Sequence, residues 1–354
     1  MTTTLRLPVA PRPFRGELLS SWMARVAAQY GLETTAMTTW LAGQGRGVQP
    51  PRPVNDIAPD PELLRLWARA CRVDPVRLMR LSLTSRFSDR PPTWFLERPR
   101  VPVCFACFDA DVTTGCDSYL RSDWRLAEHV ACPTHGEMLR DRCPVCSGNL
   151  RVSFRMRGGL LRPFCRKCDT LVTGKGGEAE RPMDVEFAAG ILKLQHQAHG
   201  IVRGDSDHRA RLEHAIRALW APLDRVGAAR PVLALWFDQP GWHCPFEARV
   251  AVSRDAPLQH LPARWRALTL VVLGDLFGAA LVFDAEMPER ARWLISRAVP
   301  IIPRRQSRWS TSGKVKNPLD RAMGRIHRLS MSPVHPLNGN FLDERCRSCF
   351  IAGL

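Results

Sequence analysis

Four short cysteine and histidine knuckles within 65 residues constrain this chain more than anything else in it. The first pair reads Cys104-x2-Cys107, then 24 residues, then Cys132-x2-His135. The second reads Cys143-x2-Cys146, then 18 residues, then Cys165-x2-Cys168. Two residues between ligands let one tight turn present both side chains to one ion, and a long spacer brings back the second pair. Only seven residues separate His135 from Cys143. The order therefore predicts two successive structural sites holding two Zn2+ ions. Each block supplies four ligands and leaves no open coordination position, so the zinc is expected to hold the fold rather than to catalyse.

Disulfides are the competing use of so many cysteines. Residues 1–20 carry Arg6, Arg12 and Arg15 and no apolar run of the kind a secretory leader needs. A cytoplasmic chain with reduced thiols is the expectation, and it favours metal. The longest apolar run, Ala267 to Phe283, is broken by Asp275 and bounded by Arg266 and Asp284. It is too short to span a bilayer and reads as a buried helix, so no membrane partner is expected.

Around this module the fold class reads as mainly α, over 354 residues. Three parts are expected: an N-terminal helical, helix-turn-helix-like domain (1–99), a two-zinc module with a short β-ribbon (100–175), and a C-terminal helical domain (181–354). Leu18, Trp22, Met23, Val26 and Tyr30 recur at helical spacing, with Gly31 as a stop. Another short helix is expected over 35–41. Asp60-Pro61 and Asp74-Pro75 are two helix starts, each a cap followed by a proline whose missing N–H costs nothing there. A short helix is expected to carry Trp124 and Leu126 on toward Val130. Gly158-Gly159 suits a turn between strands 150–154 and 160–164. Residues 172–180 read as a linker, and helices are expected over 185–198, 206–220, 262–281 and 286–298.

The formal charge of +17 points to a polyanion, most simply DNA. Residues 1–100 carry 15 Lys/Arg against 8 Asp/Glu, and 181–354 carry 25 against 16. Residues 101–180 carry 11 against 10, and seven thiolates with two Zn2+ would bring that segment near −2. The flanks are thus the expected phosphate-binding surfaces. In the N-terminal flank Arg65, Arg69, Arg72, Arg77 and Arg80 lie on the Asp60–Leu81 helix pair. That pair reads equally as a helix-turn-helix or as a plain helical hairpin with a wet basic face. In the C-terminal flank Arg304, Arg305, Arg308, Lys314, Lys316, Arg321, Arg325 and Arg328 surround Trp309, with Asp320 the lone acid. Such a segment suits a nucleic-acid backbone, with Trp309 free to stack on a base, or else a solvated basic loop.

No glycine-rich phosphate loop, nucleophile elbow or HExxH pair is present, so no catalytic residues are assigned. Cys346-x2-Cys349 is half a knuckle; free thiols are expected there, with a third site shared with His243 and Cys244 as the alternative. Cys71 and Cys116 read as structural.

The stretch Pro11-Arg12-Pro13-Phe14-Arg15-Gly16-Glu17-Leu18-Leu19-Ser20-Ser21-Trp22 resembles the opening phrase of the TniQ family, with Met23 and Arg25 in the corresponding places after it. The resemblance continues through Cys104 and Cys107, Tyr119, Trp124-Arg125, Cys132-Pro133-Thr134-His135-Gly136, Leu139, and Cys143-Pro144-Val145-Cys146. It departs at Val103, where a proline is frequent. It covers about residues 8–170 and does not carry 180–354. The resemblance implies a non-enzymatic role in DNA transposition. Such a protein selects the target site by binding DNA or a target-bound complex, and recruits an AAA+ transposition ATPase that engages the transposase complex. A homo-oligomer is open. The alternatives are a stand-alone zinc-ribbon or helix-turn-helix transcription regulator, and a Mg2+-dependent nuclease built from scattered acids.

Overall fold

The computed structural model describes residues 6–43, 53–97, 101–173, 185–223, 230–236 and 246–283, together with 289, 291, 292 and 294. Among the described residues the fold is mainly helical, with one two-stranded antiparallel ribbon.

The N-terminal arm runs extended into α1 (Leu19–Gln29), followed by α2 (Thr34–Ala42) and α3 (Pro61–Cys71). Two shorter helices follow, α4 (Pro75–Met79) and α5 (Leu83–Arg86). Both Asp-Pro starts act as read: Asp60 accepts from the Glu62 amide and Asp74 from the Val76 amide, each at 2.9 Å. Arg72, at φ 53°, ends α3 in the left-handed region and turns the chain into α4. α4 is only five residues long. Trp22 and Trp67 meet edge to face at 6.0 Å in the centre of this helical core, and the Trp67 indole donates to Thr38 Oγ1 at 3.2 Å.

α1 lacks a side-chain cap of its own. Asp56 supplies one from 36 residues away, accepting from the Ser20 amide and hydroxyl at 2.8 Å each. Leu19, Trp22, Met23 and Val26 face the helical core, while Leu18 joins the core around the cysteines. α1 is therefore the element the two cores share.

The central region opens with α6 (Phe105–Thr113), which the sequence reading does not anticipate. The ribbon is β1 (Val152–Arg157) paired with β2 (Leu160–Cys165) across the Gly158-Gly159 turn. Both glycines have positive φ (62° and 80°), which a two-residue hairpin of this hand requires. The short helix expected within residues 119–130 is a single 3-10 turn, Ser122–Arg125, followed by irregular chain. Its backbone groups are spent on tertiary partners. Arg266 Nη1 donates to the carbonyls of Leu126, Ala127 and His129 at 3.2, 2.8 and 2.9 Å. Gln195 Oε1 accepts from the amides of Val130 and Ala131 at 2.7 and 2.9 Å. No helical ladder can form from groups already paired this way.

Those two side chains come from α7 (Val185–Arg203) and α11 (Ala263–Phe277), which pack together and with α8 (Ser206–Leu219). Short helices α9 (Phe246–Arg249) and α10 (Pro257–His260) lie between α8 and α11 in the chain. Further polar ties join these helices to the rest. Buried Glu128 pairs with buried Arg90 and, at 3.3 Å, with His199 of α7. Asp141 accepts from the Ala263 amide at 3.0 Å and so caps α11. Residues 1–298 form one compact unit. Residues 174–184 and 299–354 lie outside the described residues. Among the described residues no helix is long and apolar enough to cross a membrane.

Candidate functional site

The eight predicted ligands come together as two separate clusters. In the first, His135 turns its Nδ1 toward three sulfurs, at 3.5 Å from Cys104, 3.3 Å from Cys107 and 3.4 Å from Cys132. Cys107 and Cys132 are 3.6 Å apart. In the second, Cys143 lies 3.6 Å from Cys168, and Cys146 3.9 Å from Cys165. Zn–S bonds of about 2.3 Å give tetrahedral sulfur–sulfur edges of about 3.8 Å. Both clusters thus have the edge lengths of a zinc tetrahedron, and the sulfurs stand too far apart for disulfides. The donor set, three thiols with one imidazole and then four thiols, fits Zn2+.

Local backbone explains the convergence. Three of the four knuckles close by an amide returning to the first ligand's carbonyl: Gly136 to Cys132, Ser147 to Cys143 and Asp169 to Cys165, at 2.8–2.9 Å. In each, the residue after the second ligand takes positive φ: 65° at Gly136, 51° at Ser147 and 60° at Asp169. The remaining knuckle uses a helix start instead, with Cys104 at the N-cap of α6 and Cys107 in its first turn. The sulfurs share protons unevenly. Hydrogen bonds to Cys107 and Cys132, then burial, push the Cys104 thiol up, and the bonds from Cys104 and Cys107 pull Cys132 far down. Burial lifts Cys143 to about 12 against the opposing amides of Cys146 and Val145. Hydrogen bonding with Thr170 lowers Cys168 to about 6. A divalent ion held there would take the place of the protons that otherwise keep such crowded thiolates apart.

The clusters sit inside a core rather than on a limb. Cys104, Cys107, Cys132, Cys143 and Cys165 are buried, together with Leu18, Phe108, Trp124, Phe154 and Leu161. Phe108 and Trp124 meet edge to face at 5.5 Å. Cys71 is buried in the helical core, which pushes its thiol up to about 12, whereas Cys116 is exposed.

A second constellation was missed by reasoning on ligand spacing. Glu17, buried, accepts from Arg25 Nε and Nη2 at 2.8 and 2.9 Å, from the Ser21 hydroxyl at 3.0 Å and from the Phe14 amide at 2.9 Å. Arg25 also donates to Asp117 at 3.0 Å and to the Arg12 carbonyl at 3.0 Å, and lies 4.2 Å over the Phe14 ring. Asp117 in turn accepts from the Leu161 amide of β2 at 2.9 Å. Ser21 accepts from the Leu120 amide at 2.9 Å. The opening phrase thus locks the arm, α1 and the ribbon together. The signal was present in the sequence as Glu17, Ser21 and Arg25, four residues apart in turn, one charge answering the other.

The five arginines of the helix pair, Arg65, Arg69, Arg72, Arg77 and Arg80, are all exposed, with Arg65 paired to Glu62. Elsewhere an open notch of about 360 Å3 gathers Arg15, Arg86, Arg203 and His199 with Phe87 and Asp89. Asp89 engages Arg203 at 2.6 Å. Arg304, Arg305, Arg308, Trp309, Lys314, Lys316, Arg321, Arg325 and Arg328 lie outside the described residues, as do His243, Cys244, Cys346 and Cys349.

Residues 8–139 match the family model TniQ. No curated protein matches the chain. The matched span starts in the arm that Tyr30 and Trp22 hold down and ends just after the first metal cluster, so it takes in the whole Glu17–Arg25–Asp117 lock and leaves the second cluster outside. Over residues 8–139, a little more than a third of its length, this chain is similar to the TniQ family.

Proposed function

We propose that this protein selects the target site for DNA transposition without itself joining strands. It binds DNA or a target-bound complex and recruits an AAA+ transposition ATPase, which engages the transposase complex. The observation that carries the reading is the TniQ match over residues 8–139, a span that takes in the first cysteine and histidine cluster and the buried ion-pair lock. A formal charge of +17 supports a DNA partner. The exposed arginines of α3 and α4 (Arg65, Arg69, Arg72, Arg77, Arg80) and the basic stretch 304–328 are its proposed contacts. Two Zn2+ serve as structural braces.

The testing experiment is affinity capture of the tagged protein from its native host, with and without nuclease treatment. The reading expects an AAA+ ATPase among the retained proteins. Retention of DNA with no ATPase, together with occupancy of a promoter, would convert the reading to a stand-alone transcription regulator. Mg2+-dependent cleavage of DNA by the purified protein would convert it to a nuclease.

A further inference from the structure

The near-neutral total of the zinc region conceals a sharp separation of charge. Its acids lie mostly before residue 142 and are largely consumed inside the fold: Asp111 by Arg121, Asp117 by Arg25 and Glu128 by Arg90. The ribbon stretch 150–167 contains five arginines and one lysine and no acid at all. Strand register decides where these fall. Arg155 stands directly opposite Arg162, and Arg157 opposite Leu160. The Arg166 amide donates to the Arg151 carbonyl at 2.8 Å, extending the same alternation. Side chains of a strand alternate between faces, so Arg151, Arg155, Arg157, Arg162 and Arg166 share one face. The opposite face carries Phe154, Leu161 and Cys165, buried in the metal-bearing core.

Like charges directly across a ladder repel, so a face built this way loses stability unless something negative covers it. The acids nearby cover little of it. Asp169 reaches Arg155 at 2.5 Å and Glu33 reaches Arg166, and all four side chains are more than half exposed. Exposed pairs of this kind hold weakly, so a phosphate can displace them. Among the described residues no ion pair engages Arg151, Arg157 or Arg162, and the half-buried Arg162 leaves Nε without a hydrogen-bond partner. The hairpin tip is open, with no atom within 4 Å of a side chain added at Gly158 or Gly159. A two-stranded ribbon is a shape that the major groove of B-form DNA, about 12 Å wide, admits.

We infer that the arginine face of the β1–β2 ribbon is a duplex-DNA contact surface. In this arrangement the second zinc cluster fixes the ribbon at its base, and the arginines engage phosphates on either side of the major groove. The surface is additional to the helix-pair and 304–328 contacts, and it rests on the reading of the protein as DNA-associated.

The test measures binding of the full-length, zinc-loaded protein to a fluorescent DNA duplex by anisotropy across a salt series. Each phosphate contact contributes roughly 0.9 to the slope of log K against log salt. The variant R151Q/R157Q/R162Q is expected to lower that slope by about 2 to 3 and to weaken binding more than tenfold at 100 mM salt. R151K/R157K/R162K, which keeps the charge, should retain the slope. Zinc content confirms that the ribbon is intact; if the triple glutamine variant loses zinc, the single change R157Q at the exposed tip decides, with an expected slope change of about 1. An unchanged slope in zinc-replete ribbon variants overturns the inference. So does tighter binding to an A-form RNA duplex, whose deep, narrow major groove excludes a ribbon. If R65Q/R69Q/R77Q weakens binding while the ribbon variants do not, the inference fails and the DNA-associated reading stands. If the wild-type protein binds no duplex, both fall.

Discussion

Arg25 is a buried guanidinium, and the chain meets its donors from three distant places: Glu17, Asp117 and the Arg12 carbonyl. Bidentate pairing with Glu17 is the strongest form such a contact takes. Removing one member of a buried pair strands the other charge, which costs about 3–5 kcal/mol. Glu17→Gln should therefore lower the unfolding free energy by that amount in urea titration, with the metal content unchanged in the folded fraction. Glu62→Gln, which breaks the exposed pair with Arg65, should cost no more than about 0.5 kcal/mol. Equal effects of the two changes would show that the lock is not a lock. A second buried carboxylate makes a pH prediction. Burial works against the charge of Glu128, but the hydrogen bond from His199 and the charge of Arg90 outweigh it and hold its carboxyl below the ordinary value of 4.5. A depressed acid contributes stability that is present above its unfolded value and is lost as pH falls through the folded one. Glu128→Gln should therefore be less stable than wild type at pH 7, and the gap should close as pH drops below 4.5. A gap that widens in acid would contradict the assignment.

At the level of elements, what the sequence reveals depends on how far apart the causes lie. The two Asp-Pro helix starts and the Gly158-Gly159 turn were legible because cap and helix, or turn and strands, are neighbours in the chain. The α1 cap was not, since Asp56 reaches Ser20 from 36 residues away. The missing helix after Trp124 has the same explanation: Arg266 and Gln195, each more than 60 residues distant, take its backbone groups. The grouping of the eight cysteine and histidine side chains into two clusters was legible because ligand spacing is a local rule. The arginine face of the ribbon was not read because a segment total hides what strand alternation separates. The crossing of α7 and α11 is equally invisible in sequence. Gly274 of α11 meets Leu194 of α7 so closely that an added Cβ would stand 2.7 Å from Leu194 Cδ2 and 3.0 Å from Cδ1. Leu194 is itself buried and has little room to retreat. Gly274→Ala should cost about 1–3 kcal/mol through overpacking, although alanine is the better helix former. Thermal unfolding that shows stabilisation instead would mean that the two helices are free to move apart.

On the scale of the whole molecule the two cysteine and histidine clusters are placed to hold more than their own loops. Cys104, Cys107 and Cys132 share a core with Leu18, and α1 carries Leu19, Trp22 and Met23 into the helical core on its other side. The loop just before Cys132 receives Arg266 and Gln195 from the C-terminal helices. Loss of the first ion should therefore loosen three regions together, whereas loss of the second should free mainly the ribbon, which α1 still touches. The second cluster is also the easier to empty, because both Cys146 and Cys168 are only partly buried, whereas in the first cluster His135 alone is. Metal analysis of the purified protein should find two Zn2+ per chain. Graded chelation should then release one equivalent with little change in helical circular dichroism, and the second with cooperative loss of helix across residues 1–298. Cys165→Ser should reproduce the first state and Cys104→Ser the second. Release of both ions with the helical signal intact would refute the view of the clusters as braces. Release in the reverse order would place the weaker site at the centre of the core, and would contradict the burial of Cys104, Cys107 and Cys132 as the cause of tight binding there.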